Sequence, residues 1–216
     1  MNTRGQRIAG LHVLIDDDPR WPHGSAAQAE AACAGSAAVI QLRAKHSSDR
    51  VVLELAREIR RWTRAVGALF FVNDRFDLAL LCEADGVHLG QEDLAPERIP
   101  PVARARLLVG RSTHTLEEVR CAVVAGADYV AFGPVFETTS KATSHVPCGI
   151  AALAAAVYAA APQPVIAIGG IDAERAAAAA RAGAAGAAVI SAVAEAQNPQ
   201  AAVRALAQAL SAAHPM

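Results

Sequence analysis

The sequence predicts one α/β domain folded as a (β/α)8 TIM barrel, and three observations lead to this prediction. Eight short apolar runs recur along the 216 residues, each of strand length. Amphipathic or alanine-rich stretches with helical spacing separate these runs. The length also fits, because barrels of eight strand–helix units occupy roughly 200 to 250 residues. We therefore expect residues 1–216 to form a single domain, with residues 1–10 as an N-terminal extension.

The apolar runs are the predicted strands, since each is rich in Val, Ile, Leu or Phe. Continuous apolar runs of this kind are typical of parallel strands buried on both faces. The predicted strands are residues 11–15, 38–42, 69–72, 85–89, 107–110, 128–132, 164–168 and 186–190. A doubly wound open sheet is the competing topology, and the count of eight units favours the barrel.

The segments between the runs predict helices. In residues 48–66, Val51, Leu55, Ile59 and Trp62 recur at helical spacing and predict the buried stripe of one helix. Residues 95–99 predict a short helix, which is the weakest of the series.

Capping residues mark several helix ends. Residues 115–118 (TLEE) resemble a capping box at the start of one helix. Asp172 suits the N-cap of the next-to-last helix, which Gly183 ends, and Pro199 begins the last helix.

Composition and charge exclude several classes of protein. Lys and Arg number 20 against 21 Asp and Glu, so the net charge of -1 excludes a generic nucleic-acid binder. The apolar runs are far shorter than the roughly 20 residues of a membrane span, so no membrane partner is expected. The start of the chain lacks the apolar core of a signal peptide, and the four cysteines are widely spaced. A cytoplasmic location is therefore predicted.

Polar residues cluster where the predicted strands end, which is where barrel enzymes carry their function. Gln41, Arg43 and Lys45 alternate with apolar residues and therefore share one face of an extended segment. The later strands are followed by Asn73, Asp74, Asp93, Ser112, His114, Thr138, Thr139, Ser140, Lys141, Gly170 and Ser191. We expect these residues to converge on one rim of the barrel.

The residue types on this rim suit a diphosphate held with a divalent metal ion. Arg43, Lys45 and Lys141 are cations that can neutralise phosphate, and Asp74 and Asp93 follow neighbouring strands. Mg²⁺ prefers one or two carboxylates together with waters and phosphate oxygens of the substrate. Taken alone, Asp74 also suits a helix N-cap, but its position beside the loop of Asp93 favours the metal.

A second anion site is predicted at the loops after the last two strands. Residues 169–170 (GG) and the turn after Ile190 offer backbone N–H groups, and these loops recurrently bind phosphate in barrels. The expected partners are therefore small phosphorylated substrates, and self-association into a homo-oligomer is compatible with the sequence.

Seven motifs in order resemble the thiamine-phosphate synthase family, and they extend over nearly the whole chain from Leu11. No single motif is decisive, but their order makes the resemblance specific. The motifs are residues 40–45 (IQLRAK), 72–75 (VNDR), 85–93 (DGVHLGQED), 110–114 (GRSTH), 132–141 (FGPVFETTSK), 167–171 (AIGGI) and 189–191 (VIS).

The resemblance implies a (β/α)8 barrel that couples a hydroxymethylpyrimidine diphosphate to a thiazole phosphate, with Mg²⁺ as cofactor and release of pyrophosphate. It implies that Gln41, Arg43, Lys45 and Asn73 hold the pyrimidine diphosphate and that Asp74 and Asp93 hold Mg²⁺. Ser112 and Lys141 would contact the pyrimidine or the departing pyrophosphate, so Lys141, Ser112 and Arg43 are the implied catalytic residues. The thiazole phosphate would be held by Thr138, Thr139, Ser140, Gly170, Ile190 and Ser191.

Two alternatives stay open at this point. The sequence also resembles a sister family of the same fold, the thiazole tautomerases. In that case His114 would act as the acid and base. Gln41, Arg43 and Asp74 favour the synthase, because an isomerisation needs no diphosphate–metal site. A non-catalytic regulator that binds a phosphorylated metabolite is the alternative of another class. His88 and Asp85 are predicted to be structural, as a hydrogen-bonded strand-end histidine and a turn-stabilising aspartate.

Overall fold

A computed structural model describes residues 8–138, 140 and 146–213 of the chain. Eight parallel strands close into one barrel in chain order, and the last strand pairs with the first. The strands are β1 (Gly10–Asp16), β2 (Val39–Arg43), β3 (Leu69–Asn73), β4 (Gly86–Leu89), β5 (Leu108–Thr113), β6 (Tyr129–Phe132), β7 (Val165–Ile168) and β8 (Gly186–Val189). The predicted barrel is confirmed. The open sheet is wrong, because the β1–β8 ladder leaves no strand edge unpaired.

The helices lie between the strands and cover the outside of the barrel. They are α1 (Ser25–Ala34), α2 (Asp49–Val66), α3 (Phe76–Leu81), α4 (Pro101–Arg106), α5 (Leu116–Val124), α6 (Gly149–Ala160), α7 (Ala173–Arg181), α8 (Ser191–Ala194) and α9 (Pro199–Ala213). None of the helices in the described ranges has the length and apolar character needed to cross a bilayer.

The connection from β4 to β5 differs from its prediction. Where a short helix is expected at residues 95–99, the chain forms only a single 3-10 turn at Pro96–Arg98. The α-helix of this unit is α4, which begins at Pro101. Proline at 100 cannot continue a helix, whereas proline at the first helical position suits its start.

The buried stripe of α2 also differs from its prediction. Val52, Ala56, Ile59 and Thr63 face the barrel, whereas Val51 is 42% exposed. The predicted spacing of the buried residues is therefore right. Each buried position lies one residue later than predicted, except Ile59, which is buried as predicted. Small side chains on the inner face let α2 approach the strands closely, and Leu55 and Trp62 are only half-buried at its flank.

Apolar side chains fill two concentric layers. One layer lies between the strands and the surrounding helices. The other lies inside the barrel, where Leu14, Val39, Phe71, Tyr129 and Ile166 pack together. The interior is thus a packed core, so a ligand binds at the ends of the strands rather than inside the barrel.

The predicted caps are present at α5 and α7. The Glu118 N–H donates to Thr115 Oγ1 at 3.2 Å, and the Glu118 carboxylate accepts from the His114 N–H at 2.6 Å. The Arg175 N–H donates to Asp172 Oδ1 at 2.9 Å. These bonds fix where the loops after β5 and β7 end.

Candidate functional site

Two carboxyl groups meet at the carboxyl ends of β3 and β4. Asp74 follows β3, and its side chain lies close enough to Asp93, in the loop after β4, for the two carboxyls to interact. The Lys45 ammonium forms an ion pair with Asp74 Oδ2. Asp93 is held in turn by the Gly90 N–H, which donates to Asp93 Oδ2 at 2.7 Å. The structure therefore brings together the two acids that the sequence predicts as metal ligands.

The electrostatics of this pair fit a divalent cation. Burial raises the pKa of Asp74, the adjacent Asp93 carboxyl raises it further, and Lys45 opposes both effects. Two carboxylates this close repel each other unless positive charge compensates them. The described residues include no group of three or more His, Cys, Asp or Glu that could hold a metal. Two carboxylates completed by water and phosphate oxygens are the donor set that Mg²⁺ accepts.

The N-cap reading of Asp74 is wrong. The N-cap of α3 is Arg75, and no side-chain hydrogen bond caps that helix. Instead, Asp74 adopts a left-handed backbone conformation with φ of 65°. Its N–H donates to the His88 carbonyl at 2.7 Å, which ties the end of β3 to β4.

Arg43 is paired with a residue that the sequence reasoning missed. Asp16 ends β1 directly opposite Arg43 in the β1–β2 register, and its buried carboxylate accepts from the Arg43 guanidinium. Asp16 also accepts from Trp21 Nε1 at 3.1 Å and from the Asp18 N–H at 3.0 Å. A fully buried carboxylate thus fixes the orientation of Arg43 at the rim. Three consecutive aspartates at the end of a predicted strand were the available signal.

Asp17 is the second residue missed, and it holds the loop that carries Lys45. Its carboxylate accepts from the N–H groups of Lys45 at 2.7 Å, His46 at 3.0 Å and Ser47 at 2.7 Å. Burial alone raises the pKa of Asp17, but these backbone bonds and one from the Ser47 side chain outweigh burial and lower it. Asp17 therefore stays ionised and fixes the path of the chain between β2 and α2.

Gln41 lies deeper than the other predicted ligands of the diphosphate. It is 2% exposed and lines a small cavity inside the barrel together with His12 and His88. Its Oε1 has no hydrogen-bond partner among the described residues, and neither has His12 Nε2. Asn73 ends β3 beside Asp74, opposite His88 in the register.

A cavity of about 100 Å³ extends across the ends of β5 to β8. Six residues predicted for substrate binding line it: Ser112, Thr138, Ser140, Gly170, Ile190 and Ser191. Ser140 Oγ donates to Ser191 Oγ at 2.7 Å, which joins the loop after β6 to the start of α8. The structure thus brings these residues to one place. Thr139 and Lys141 lie outside the described residues.

Ser112 and His114 both line this cavity from the end of β5. His88 Nε2 lies 2.9 Å from Ser112 Oγ, and the Gln91 amide donates to the Ser112 carbonyl. His114 Nδ1 lies 2.5 Å from the Gly133 carbonyl, which can only accept, so this nitrogen carries the proton. The prediction that His88 is structurally hydrogen-bonded agrees with this geometry.

Comparisons with known proteins show which family the chain belongs to. A family model described as thiamine monophosphate synthase matches residues 11–193. The chain is 49% identical to the thiamine-phosphate synthase of Anaeromyxobacter dehalogenans (strain 2CP-C), covering 97% of this chain and 91% of the relative. It is 44% identical to that of Methanoregula boonei (strain DSM 21154 / JCM 14090 / 6A8), covering 94% of each chain. The solved structure of thiamine phosphate pyrophosphorylase from Pyrococcus furiosus superposes with a TM-score of 0.86 at 35% identity, covering 98% of this chain and 99% of the other.

Proposed function

Because this chain belongs to the thiamine monophosphate synthase family, we propose that it makes thiamine monophosphate from two phosphorylated heterocycles. The substrates are 4-amino-5-hydroxymethyl-2-methylpyrimidine diphosphate and 4-methyl-5-(2-phosphooxyethyl)thiazole, and the second product is pyrophosphate. The observation that carries the proposal is the contact between the Asp74 and Asp93 carboxyls beside Lys45. Such a pair suits the metal-bound diphosphate of the first substrate.

The diphosphate binds at the ends of β2 to β4 in this proposal. Asp74 and Asp93 hold Mg²⁺, and Arg43, Lys45 and Asn73 hold the phosphate oxygens. When bound, Mg²⁺ neutralises charge on the departing pyrophosphate. Gln41 reaches the pyrimidine from below, since it lies inside the barrel under the rim.

The reaction needs no nucleophile from the protein. The bond between the pyrimidine methylene and the diphosphate oxygen breaks, and its electron pair leaves with pyrophosphate. The aminopyrimidine ring delocalises the positive charge left on the methylene carbon, and the lone pair of the thiazole nitrogen forms the new C–N bond. The side chains hold the two rings in contact and stabilise the leaving group, and Ser112 and Lys141 are the residues assigned to contact it.

The thiazole phosphate binds at the ends of β6 to β8. Thr138, Thr139, Ser140 and Ser191 supply hydroxyls, and Gly170 and Ile190 supply backbone N–H groups. The 2.7 Å bond between Ser140 and Ser191 supports this proposal, because it brings two phosphate-binding side chains from separate loops together. A phosphate at this position would bind both loops at once.

The named relatives favour the synthase over both alternatives, since each is called a thiamine-phosphate synthase. The tautomerase with His114 as acid and base, and the non-catalytic regulator, are therefore not favoured. Cytoplasmic location, the absence of nucleic-acid and membrane partners, and self-association stay predictions from the sequence.

The decisive experiment supplies both substrates and Mg²⁺ and measures thiamine monophosphate and pyrophosphate over time. We expect the two products in equal amounts and no reaction when a chelator removes the metal. Isomerisation of a thiazole carboxylate phosphate without coupling would instead indicate the tautomerase. Tight binding of either substrate without any turnover would indicate the regulator.

A further inference from the structure

A buried chain of three side chains runs across β4, β5 and β6 beneath the cavity. The Tyr129 hydroxyl lies 2.8 Å from His88 Nδ1, and His88 Nε2 lies 2.9 Å from Ser112 Oγ. Tyr129 is 1% exposed and His88 is 6% exposed, whereas Ser112 is half-buried and lines the cavity. The chain therefore connects the barrel interior to the substrate site.

Packing holds the tyrosine ring in one place. Tyr129 lies opposite Gly110 in the β5–β6 register, and a Cβ at position 110 would lie 2.2 Å from the ring. The Phe71 and His12 rings pack against it in T-shaped arrangements, with centroid distances of 5.7 Å. Its hydroxyl is thus directed at His88.

The direction of proton donation along the chain follows from hydrogen-bond capacity. Within the described part of the chain, His88 Nδ1 is the only hydrogen-bond partner of the Tyr129 hydroxyl. A buried hydroxyl that donates to nothing is unfavourable, so Tyr129 donates and Nδ1 accepts. A neutral imidazole then carries its proton on Nε2, which donates to Ser112 Oγ.

We propose that Tyr129 and His88 are positioning residues that make Ser112 a hydrogen-bond donor towards the cavity. Because Ser112 Oγ already accepts from His88, its own O–H is left to point at the substrate. The substrate atom that meets Ser112 must therefore be an acceptor, such as a ring nitrogen or a diphosphate oxygen. The identity of this acceptor rests on the proposed function. The direction of hydrogen-bond donation from Tyr129 through His88 to Ser112 does not.

The first test measures the tautomer of His88 in the substrate-free protein. Long-range ¹H–¹⁵N correlation spectra of protein labelled with ¹⁵N-histidine distinguish the two tautomers, and the spectrum of the His88→Gln variant assigns the His88 signals. We expect the proton on Nε2. A proton on Nδ1, an equal mixture of tautomers or a doubly protonated ring would overturn the proposal. This result does not depend on any enzymatic activity, so it is separable from failure of the proposed function.

The second test removes only the hydroxyl of Tyr129. We expect Tyr129→Phe to yield a mixture of His88 tautomers and to lower kcat about tenfold with little change in KM, because one fixed hydrogen bond near the reacting atoms is lost. The matched control is Tyr158→Phe on α6, whose side chain is 89% exposed and which should change neither quantity. Unchanged kcat in Tyr129→Phe would overturn the positioning role.

A pair of substitutions at His88 separates hydrogen bonding from packing. The glutamine amide can accept from Tyr129 and donate to Ser112 as the imidazole does, whereas leucine can do neither. We therefore expect His88→Gln to retain most of kcat and His88→Leu to lose it at least tenfold. Equal loss of kcat in both variants would show that packing alone explains His88.

Discussion

At the scale of single residues, Asp74 combines an unusual backbone conformation with the predicted chemistry. A non-glycine residue at φ of 65° costs about 1 kcal/mol, although aspartate and asparagine tolerate it best. The bond from its N–H to the His88 carbonyl offsets part of that cost. The conformation brings the carboxyl into contact with Lys45 and Asp93. The strained backbone of Asp74 therefore serves to place its carboxyl in the candidate site.

We expect Asp74→Asn and Asp93→Asn to lower turnover at least 100-fold, about 2.7 kcal/mol in barrier height, because each removes a charged ligand for Mg²⁺ in the proposed function. Asparagine tolerates the left-handed conformation, and losing one charge relieves the repulsion between the two acids. The melting temperature should therefore stay the same or rise slightly. Steady-state kinetics across a Mg²⁺ titration, combined with thermal unfolding, measure both effects.

The matched control is Asp77→Asn, since Asp77 is an exposed acid three residues away that pairs with Arg75. Its turnover should equal that of the unaltered protein. Full activity of Asp74→Asn at saturating Mg²⁺ would remove Asp74 from the metal site.

The sequence was sufficient to predict which acids approach each other, but not what holds the cations beside them. Asp74 and Asp93 follow neighbouring strands, and the ends of parallel strands lie together in any barrel of this order. Asp16 pairs with Arg43 only because the β1–β2 register places them opposite each other. That register depends on how the whole barrel closes, which no local pattern reveals.

At the scale of elements, the strands were easier to predict than the faces of the helices. A buried strand is apolar on both faces, so its apolar run identifies it without a need to decide which residues face inward. Helix α2 carries two adjacent stripes, one with Val51 and Leu55 and the other with Val52 and Ala56. The second faces the barrel because its smaller side chains allow closer packing, and hydrophobicity alone ranks the first higher.

Aspartates at the other end of the barrel stabilise pairs of neighbouring strands. Asp128 precedes β6 and accepts from the Val109 N–H of β5 and from the Arg104 guanidinium, both at 2.7 Å. Asp85 precedes β4 and accepts from the Phe70 N–H of β3 at 2.8 Å and from Arg60 at 2.7 Å. The prediction that Asp85 stabilises the turn into its strand agrees with these bonds. The same device thus recurs two units apart.

We expect Asp128→Ala to lower the free energy of unfolding by about 3 kcal/mol, since it leaves the Val109 N–H without its acceptor and removes the carboxylate that pairs with Arg104. Asp85→Ala should lower it by only about 1 kcal/mol, because the Asp85 side chain is 26% exposed against 4% for Asp128 and water can replace it. Urea denaturation measures both values. Equal losses would contradict the role of burial, and both variants should retain kcat because neither residue lies at the substrate rim.

At the scale of the whole molecule, the two ends of the barrel serve different purposes. The carboxyl ends of the strands carry the acids, cations and hydroxyls of the site, whereas Asp85 and Asp128 stabilise the opposite end. This division explains why family and fold could be predicted together from the sequence. The motifs that carry the chemistry are also the strand ends that define the eight units.

The final prediction concerns how the loops of separate units fit together. Gly170 after β7 has φ of 63°, and a Cβ there would lie 2.1 Å from the Glu137 carbonyl in the loop after β6. We expect Gly170→Ala to push these loops apart, to raise KM for the thiazole phosphate at least tenfold and to lower the melting temperature. The matched control is Gly67→Ala, where φ is 75° but no atom lies within 4 Å of the added Cβ. It should lose only about 1 kcal/mol from backbone strain and keep its KM. Kinetics and thermal unfolding of the two variants, measured side by side, distinguish a clash between loops from backbone strain at one residue. Equal changes in KM and melting temperature in both variants would show that the contact between loops contributes nothing to substrate binding.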